Sequence, residues 1–399
     1  MTIKAFTRPF TQQEPITQEA IDAATEVLKS GRLHRYNTIE NELSEVSHLE
    51  EEYAAYQGSK YCLACASGGY AMSVALKAAG LKLGESVLTN TFTLAPVPGS
   101  ISNAGGIPIF IEITRDLILD LEDLSNKVSE SGARFLLISH MRGHLVDMDK
   151  LMQIVNENNL ILIEDCAHTM GALWKNQRSG SFGIAGCFST QTYKHLNSGE
   201  GGLITSNDEK FMARAIIYSG SYMLYERHSA APSSEVFSDI RLETPNYSGR
   251  MDNLRAAILR PQLKNLENNI IRWNERYQLV ETELNGVNGI EVPVRFKEER
   301  YVGSSIQFRI PGITNSEAKS FIKKNKELGV ELKWFGNDEP NGFTSNHKSW
   351  KYLSQQELKQ SDDILSGLFD LRLPLTFSLE DCAHLSNIII ACSDEFIRK

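Results

Sequence analysis

The sequence predicts an α/β protein with a large domain, in which a mostly parallel sheet lies between helices, and a smaller C-terminal α/β domain. Strand-length apolar runs alternate with helix-like segments between about residues 55 and 220. Such alternation is typical of a parallel sheet that is covered on both faces. After about residue 262 the pattern changes, and a long helical periodicity begins. We therefore predict one domain at residues 1–262 and a second at residues 263–399.

The individual elements follow from local patterns along the chain. Apolar residues recur at helical spacing before Gly31, which predicts a helix with a glycine stop. Apolar runs predict five successive strands, in KYCLACAS, ESVLTN, GIPIFIEI, ARFLLISH and NLILIEDC, and helical spacing predicts helices in AMSVALKAAGL and DMDKLMQIVNEN. In the C-terminal part we predict one long helix in PQLKNLENNIIRWNERYQLVETEL, a strand in SSIQFRI and a helix in SEAKSFIKKNKEL. Residues 32–47 and 222–243 are polar and weakly periodic, so we predict long loops there.

Composition narrows the class of function. The 399 residues carry a formal net charge of −9, which argues against a nucleic-acid partner, because such proteins usually need a basic surface. No apolar run approaches 18 residues and the N-terminus lacks an apolar leader, so we expect no membrane span and a cytoplasmic location. Cys62 and Cys65 form a CxxC without a second pair, and we interpret them as core residues rather than metal ligands.

Two short motifs lie where a parallel sheet places its ligands. ASGGYAM, residues 66–72, occupies a predicted strand-to-helix turn. Small residues there let backbone N–H groups converge on an anion such as phosphate; the alternative is that glycine serves the turn geometry alone. Asp165 ends an apolar strand, and His168 is three residues further on. A carboxylate at that position either contacts a ligand at the carboxyl end of the sheet or caps a following helix.

Lys194 lies in the third motif, FSTQTYKHLNSGEGG. A lysine is usually a surface residue, but its amine becomes a nucleophile where the neutral form is favoured. A phosphate turn, a carboxylate and a lysine occur in that order along the chain. Pyridoxal 5'-phosphate needs these three partners, namely a phosphate cradle, an acid for its pyridine nitrogen and a Schiff-base lysine.

EDCAHTMGA and the following GSFGIAGCFSTQTYKHLNSGEGGLITSND resemble the signature of the DegT-type sugar aminotransferases, which are pyridoxal phosphate enzymes of the aspartate aminotransferase fold type I. The likeness extends to ASGGYAM, TNTFTLA, SGRMDNLRAAILRPQL and LPLTFSLED. It implies that Lys194 binds the cofactor and carries the proton, that Asp165 pairs with the pyridine nitrogen, and that His168 lies near the phenolic oxygen. By the same resemblance, the other cofactor contacts are an aromatic that stacks on the ring, Phe92, and phosphate-binding residues Ser67, Gly68, Gly69 and Ser189.

The resemblance also implies a homodimer, in which Ser248 and Arg250 reach the cofactor of the neighbouring subunit. This sequence departs from the family pattern at several positions. Gly69 stands where the family usually has threonine, Ser248 where it has asparagine, and SHMRGH, residues 139–144, where it often reads like PVHLYG. Because the last change borders the expected substrate side, we expect an unusual substrate.

The resemblance implies transfer of an amino group from glutamate to a keto or aldehyde sugar. Our candidate acceptor is 8-oxo-3,8-dideoxy-octulosonate, a sugar of lipopolysaccharide biosynthesis, and the alternative is a nucleotide-linked keto sugar. Four basic residues are candidates for holding an acidic acceptor: Arg35, Arg142, Arg227 and Lys333. Relatives that act as dehydratases have histidine at the lysine position, and Lys194 argues against that reaction. A non-catalytic regulatory or binding role is the alternative of another class, and Lys194, Asp165 and Phe92 argue against it.

Overall fold

A seven-stranded sheet forms the centre of the large domain. The computed structural model describes residues 4–39 and 42–397. Along the chain, the strands are β1 Tyr61–Cys65, β2 Ser86–Asn90, β3 Ile107–Ile111, β4 Phe135–Ser139, β5 Ile161–Asp165, β6 Leu173–Trp174, β7 Gln177–Arg178, β8 Ala185–Ser189, β9 Gly202–Ser206, β10 Glu299–Arg300, β11 Ser305–Arg309, β12 Leu332–Trp334 and β13 Leu368–Arg372. The order in the large sheet is β1-β9-β8-β5-β4-β2-β3. Strand β9 pairs antiparallel with β1 and β8, and the other pairs are parallel, which confirms the mostly parallel sheet.

Helices cover this sheet and connect it to the C-terminal part. They are α1 Gln18–Ser30, α2 Glu45–Gln57, α3 Gly68–Ala78, α4 Pro96–Ala104, α5 Leu121–Ser131, α6 Met148–Glu157, α7 Glu209–Ser219, α8 Phe237–Glu243, α9 Asn253–Lys264, α10 Leu266–Asn285, α11 Asn315–Glu327, α12 Lys359–Ser366 and α13 Leu379–Ser393. Helix α1 ends as expected at Gly31, which has φ 69° and donates its N–H to the carbonyl of Leu28. Within residues 4–39 and 42–397, none of these helices has both the length and the apolar character of a membrane span.

A second core lies around a three-stranded antiparallel sheet with the order β11-β13-β12. Phe308, Phe321 and Phe369 pack there at ring distances between 4.9 and 6.4 Å. The same core contains Phe6 and Phe10 from the start of the chain. The N-terminal segment therefore packs with the C-terminal sheet, while the division at residue 262 stays a prediction.

Two local predictions were wrong. The single long helix is interrupted at Asn265, whose φ of −100° and ψ of 2° are not helical, so its first residues belong to α9. Asparagine favours such breaks because its side chain competes for backbone hydrogen bonds. The predicted loop at residues 222–243 contains α8, which forms because Phe237 is buried and stacks on Tyr225 at 4.1 Å. The predicted loop at residues 32–47 is otherwise irregular up to α2, and residues 40–41 of it lie outside the described part.

Candidate active site

A cavity of about 500 Å³ opens at the carboxyl end of the large sheet, between that sheet and β11 to β13. It brings together most of the residues that the motifs single out. The cavity is lined by the predicted Ser67, Gly68, Gly69, His168, Ser189 and Lys194, and also by Arg142, Gln191, Tyr193, Glu200, Glu331, Lys333, Phe343 and Arg372, among others.

The turn between β1 and α3 forms one end of the cavity. Ser67 caps the helix, since its Oγ accepts the N–H of Tyr70 at 3.1 Å. The first N–H groups of a helix have no acceptor within the helix, so those of Gly68 and Gly69 are available to an anion. The backbone packs closely here, because a Cβ on Gly68 would lie 2.8 Å from Cβ of Ser189 and a Cβ on Gly202 would clash with the Ser67 carbonyl. Glycine is thus needed at these two positions for packing.

Lys194 is half-buried, and its Nζ lies 2.7 Å from Nε2 of His168. The backbone N–H of Arg142 donates to the other ring nitrogen, Nδ1, at 3.3 Å. Burial, followed by the nearby Lys194, holds the pKa of His168 well below its usual value, so the ring is neutral. Because Nδ1 accepts, the ring proton is on Nε2 and is donated to the lysine nitrogen. That geometry requires an uncharged amine at Lys194.

The electrostatics of the cavity favour the same state. Burial, followed by the positive charge of Arg142, lowers the pKa of Lys194 to about 7. A large fraction of Lys194 is therefore neutral and nucleophilic near neutral pH. The surface alternative for Lys194 does not apply in this structure, since the side chain lines the cavity.

Asp165, the last residue of β5, is held by two hydrogen bonds. Its Oδ2 accepts from Oγ of Ser139 at 2.8 Å, and its Oδ1 accepts the N–H of Ala167 at 3.1 Å. Residues 167–171 form turns rather than a helix, so the carboxylate caps a turn and not a helix. Asp165 also acts electrostatically on Lys194, where it favours the charged amine.

Like Asp165, three further predicted residues lie outside the cavity lining of the described chain. Phe92 is 1% exposed and packs edge-on against Phe335 at 5.1 Å. Ser248 has φ 52° and its Oγ donates to Asn246 at 3.1 Å. Arg250 donates to the carbonyl of Gly220 at 3.0 Å. The expected reach of Ser248 and Arg250 into a neighbouring subunit stays a prediction.

Only two of the four basic candidates, Arg142 and Lys333, line the cavity. Arg35 is buried in an ion pair with Glu50 at 2.8 Å, and Arg227 donates to the carbonyl of Tyr36 at 2.6 Å. Sequence reasoning missed Arg372, whose guanidinium lies 4.0 Å from the ring centre of Tyr193. Its position at the end of β13, in LRLPL, is the only signal that could have indicated it.

A cluster of possible metal ligands lies apart from the cavity lining and has a structural role. His140, Glu164 and Cys166 offer ligand atoms within 4.8 Å of one another. However, the carboxylate of Glu164 already accepts three backbone N–H groups from residues 180–183, at 2.7–3.0 Å. Since its oxygens are occupied, Glu164 anchors that loop to β5.

Comparisons with known proteins agree with this architecture. The model of the DegT/DnrJ/EryC1/StrS aminotransferase family matches residues 14–389. The chain is 28% identical to the spore coat polysaccharide biosynthesis protein SpsC of Bacillus subtilis (strain 168) over 325 residues, which are 79% of this chain and 80% of that protein. It is 29% identical to the dTDP-3-amino-3,4,6-trideoxy-alpha-D-glucose transaminase of Micromonospora megalomicea subsp. nigra over 280 residues, 69% of this chain and 70% of that one.

The fold also has close counterparts among solved structures. One is GDP-4-keto-6-deoxymannose-3-dehydratase with a trapped PLP-glutamate geminal diamine, with a TM-score of 0.82 and 20% identity, covering 96% of this chain and 100% of that chain. The fold prediction, the aspartate aminotransferase fold of pyridoxal phosphate enzymes, is confirmed. Because the family model spans nearly the whole chain, this protein belongs to the DegT/DnrJ/EryC1/StrS family of pyridoxal phosphate-dependent aminotransferases.

Proposed function

We propose that the protein moves an amino group from glutamate to a keto or aldehyde carbon of a sugar. The observation that supports this most is the amine of Lys194, which lines the cavity, has a pKa of about 7 and lies 2.7 Å from a neutral imidazole. An amine in this state accepts a proton from one atom and returns it to another, as both halves of amino transfer require. A non-catalytic member of the family would not need a lysine of this kind.

The cavity residues fit pyridoxal phosphate. We propose that Ser189 and the turn Ser67–Gly69 hold the phosphate, because these residues line the cavity together and the turn leads into the N-terminus of α3, whose first N–H groups are available to an anion. The Oγ of Ser189 accepts the N–H of Gln191 at 3.3 Å, and within the described residues its hydroxyl donates to no other group, so it can donate to an anion. Asp165, oriented by Ser139, would face the pyridine nitrogen. When bound, the cofactor supplies an electron sink for the charge that develops on the substrate carbon.

For the acceptor we propose 8-oxo-3,8-dideoxy-octulosonate, which would place the protein in lipopolysaccharide sugar biosynthesis in the cytoplasm. Arg142 and Lys333 in the cavity lining support an acidic sugar. A nucleotide-linked keto sugar is the second candidate, and the name of the Micromonospora relative favours it. We also propose a homodimer, in which Ser248 and Arg250 approach the cofactor of the other subunit.

The test of the acceptor is a panel of sugars offered to the purified protein with glutamate and pyridoxal phosphate. We expect 2-oxoglutarate to form with glutamate and with 8-oxo-3,8-dideoxy-octulosonate. A protein that takes up no pyridoxal phosphate would contradict the cofactor assignment to these residues. Turnover confined to nucleotide-linked 4-keto sugars would instead exclude the octulosonate and favour the second candidate.

Gly69 offers a prediction about the phosphate turn. A Cβ on Gly69 would meet only Oγ of Ser100 at 3.7 Å and Cβ of Pro96 at 3.8 Å, which are ordinary contacts. Gly69→Thr should therefore fold and add a hydroxyl donor to the phosphate. We expect the dissociation constant of pyridoxal phosphate to fall by about 10- to 100-fold, since a hydrogen bond to a charged group contributes about 1.5–3 kcal/mol.

The matched variant is Gly68→Ala. The new Cβ would lie 2.8 Å from Cβ of Ser189. The substitution should therefore displace the Ser189 side chain and weaken the binding of pyridoxal phosphate. Equilibrium dialysis of both variants measures the two constants. If Gly69→Thr weakened binding as much as Gly68→Ala, this turn would not hold the phosphate in the proposed way.

A further inference from the structure

One side of the cavity carries an excess of positive charge. Arg142, Lys333 and Arg372 line it, and we call these three residues the cationic wall. Asp370 lies behind them and is fully buried. Its Oδ2 is 3.0 Å from Nη2 of Arg142 and 3.6 Å from Nζ of Lys333. One carboxylate is thus shared by two cations.

Asp370 is fixed in place and cannot turn towards a ligand. Its Oδ1 accepts from Nε2 of Gln307 at 2.7 Å, and Oε1 of Gln307 is 2.7 Å from Nε2 of His144. Burial alone would raise the pKa of Asp370, but Arg142 and Lys333 outweigh it and hold the pKa below its usual value. Asp370 therefore remains ionised and supplies one fixed negative charge to the wall.

Arg142 is the least satisfied member of the wall. It is only 9% exposed, and its Nε and Nη2 are buried without a hydrogen-bond partner among the described residues. The ion pair with Asp370 has a short distance but not the geometry of a hydrogen bond. Buried guanidinium donors are normally paired, because leaving them unpaired is unfavourable. Arg142 thus brings to the cavity lining a positive charge that a single carboxylate, shared with Lys333, compensates only in part.

The other two cations are destabilised by their surroundings. Burial, followed by Arg142, lowers the pKa of Lys333 to about 8. Burial also lowers the pKa of Arg372 to about 10, and Arg142 adds to this effect. Glu200 and Glu331 line the cavity as well but are exposed, and neither forms an ion pair with the wall within the described residues. An incoming anion would relieve the repulsion within the wall.

We propose that Arg142, Lys333 and Arg372 form one carboxylate-binding subsite, which receives a carboxylate of the amino donor in the first half-reaction and a carboxylate of the acceptor in the second. This rests on the proposed function, since donor and acceptor occupy the same cavity in turn. Arginine is suited to the role because its planar fork binds a carboxylate through two parallel hydrogen bonds. A neutral acceptor would leave the wall uncompensated, so the subsite selects acidic acceptors.

The test uses glutarate, a dicarboxylate without an amino group, titrated calorimetrically into the protein loaded with pyridoxal phosphate. We expect glutarate to bind, and Arg142→Asn to raise its dissociation constant by at least about 10-fold, as expected for the loss of a charged, partly desolvated contact. Asparagine is chosen because Arg142 has φ 55°, a conformation that asparagine tolerates. Lys333→Met should act in the same direction.

The matched control is Arg134→Asn. Arg134 immediately precedes β4, at the opposite end of that strand from the cavity, and forms an exposed ion pair with Glu85 at 2.8 Å. The Arg134→Asn variant should bind glutarate as the wild type does. Unfolding curves check that each variant is folded.

Two results would overturn the subsite. One is an unchanged dissociation constant of glutarate in both Arg142→Asn and Lys333→Met, when both variants are folded. The other is pyrophosphate binding more tightly than glutarate and losing affinity in Arg142→Asn, which would make the wall a phosphate subsite. Failure of the proposed function is recognised separately, in the wild type, as no change of the cofactor absorbance on adding glutamate.

Discussion

Lys194→Ala is expected to slow amino transfer by about 10²- to 10⁴-fold, the usual contribution of a positioned acid–base group. The side chain brings the neutral amine into the cavity, where Nζ contacts His168 at 2.7 Å. The other lysine of the described cavity lining, Lys333, is engaged by Asp370 at 3.6 Å and does not replace it. The measurement is a single-turnover reaction with glutamate, followed through the absorbance of the cofactor.

The control for this variant is Lys210→Ala, since Lys210 lies exposed on α7. It should react as the wild type does. A small primary amine such as methylamine, added to Lys194→Ala, should restore part of the rate, because it supplies the missing base. An undiminished rate in Lys194→Ala would show that the proton is carried by another group.

Glu50→Gln should lower the free energy of unfolding by about 3–5 kcal/mol, the usual effect of breaking a buried ion pair from one side. Glu50 and Arg35 are both fully buried, and two hydrogen bonds of 2.8 and 2.9 Å join them. Oε1 of Glu50 also accepts the N–H of Ala64 in β1 at 2.8 Å. The substitution leaves the Arg35 charge without its counterion. Urea unfolding measures the change.

The same carboxylate predicts an acid-sensitive contribution to stability. Burial alone would raise the pKa of Glu50, but Arg35 outweighs it and lowers the pKa to about 2. A carboxyl group with a lowered pKa stabilises the folded state above its unfolded pKa, about 4.3, and loses that contribution as the pH falls towards 2. Glu50→Gln should therefore show a shallower loss of stability between these values.

Glu45→Gln is the matched control for both measurements. Glu45 starts α2 and pairs with Arg260 at 2.7 Å, but its side chain is 31% exposed. Its replacement should change the free energy of unfolding by less than about 1 kcal/mol. Equal effects of the two substitutions on the free energy of unfolding would mean that the buried Glu50–Arg35 pair stabilises the fold no more than the partly exposed Glu45–Arg260 pair.

Five strands of the large sheet could be predicted from the sequence because each is marked by a local run of apolar residues. Apolar runs identified β1 to β5, and the ends of β1 and β5 brought Ser67 and Asp165 to the same edge of the sheet. Motif order and the family resemblance assigned Lys194 and His168 to the same cofactor, but the direct contact between them was not predicted. Helix α8 depends on Phe237 packing against Tyr225, a contact that periodicity does not reveal.

Only part of the cationic wall could be predicted, because its residues meet through contacts between distant parts of the chain. Arg142 stood out because SHMRGH departs from the family pattern, and Lys333 was one basic residue among several. Arg372 and Asp370 join them only when β13 packs beside the segment after β4. Nothing in LRLPL indicates that pairing, because it arises from two chain segments more than 200 residues apart.

Arg142 has two roles, one for its backbone and one for its side chain. Its backbone N–H orients His168, while its side chain belongs to the cationic wall. A change of side chain at this position leaves the backbone donor in place, provided that the new residue tolerates φ 55°. Acceptor preference is thus open to mutation while His168 keeps its orientation, but loss of the Arg142 charge also removes one cause of the lowered pKa of Lys194. Asparagine and glycine are the first replacements to try at position 142 for redirecting this protein to a new acceptor, because both tolerate φ 55°.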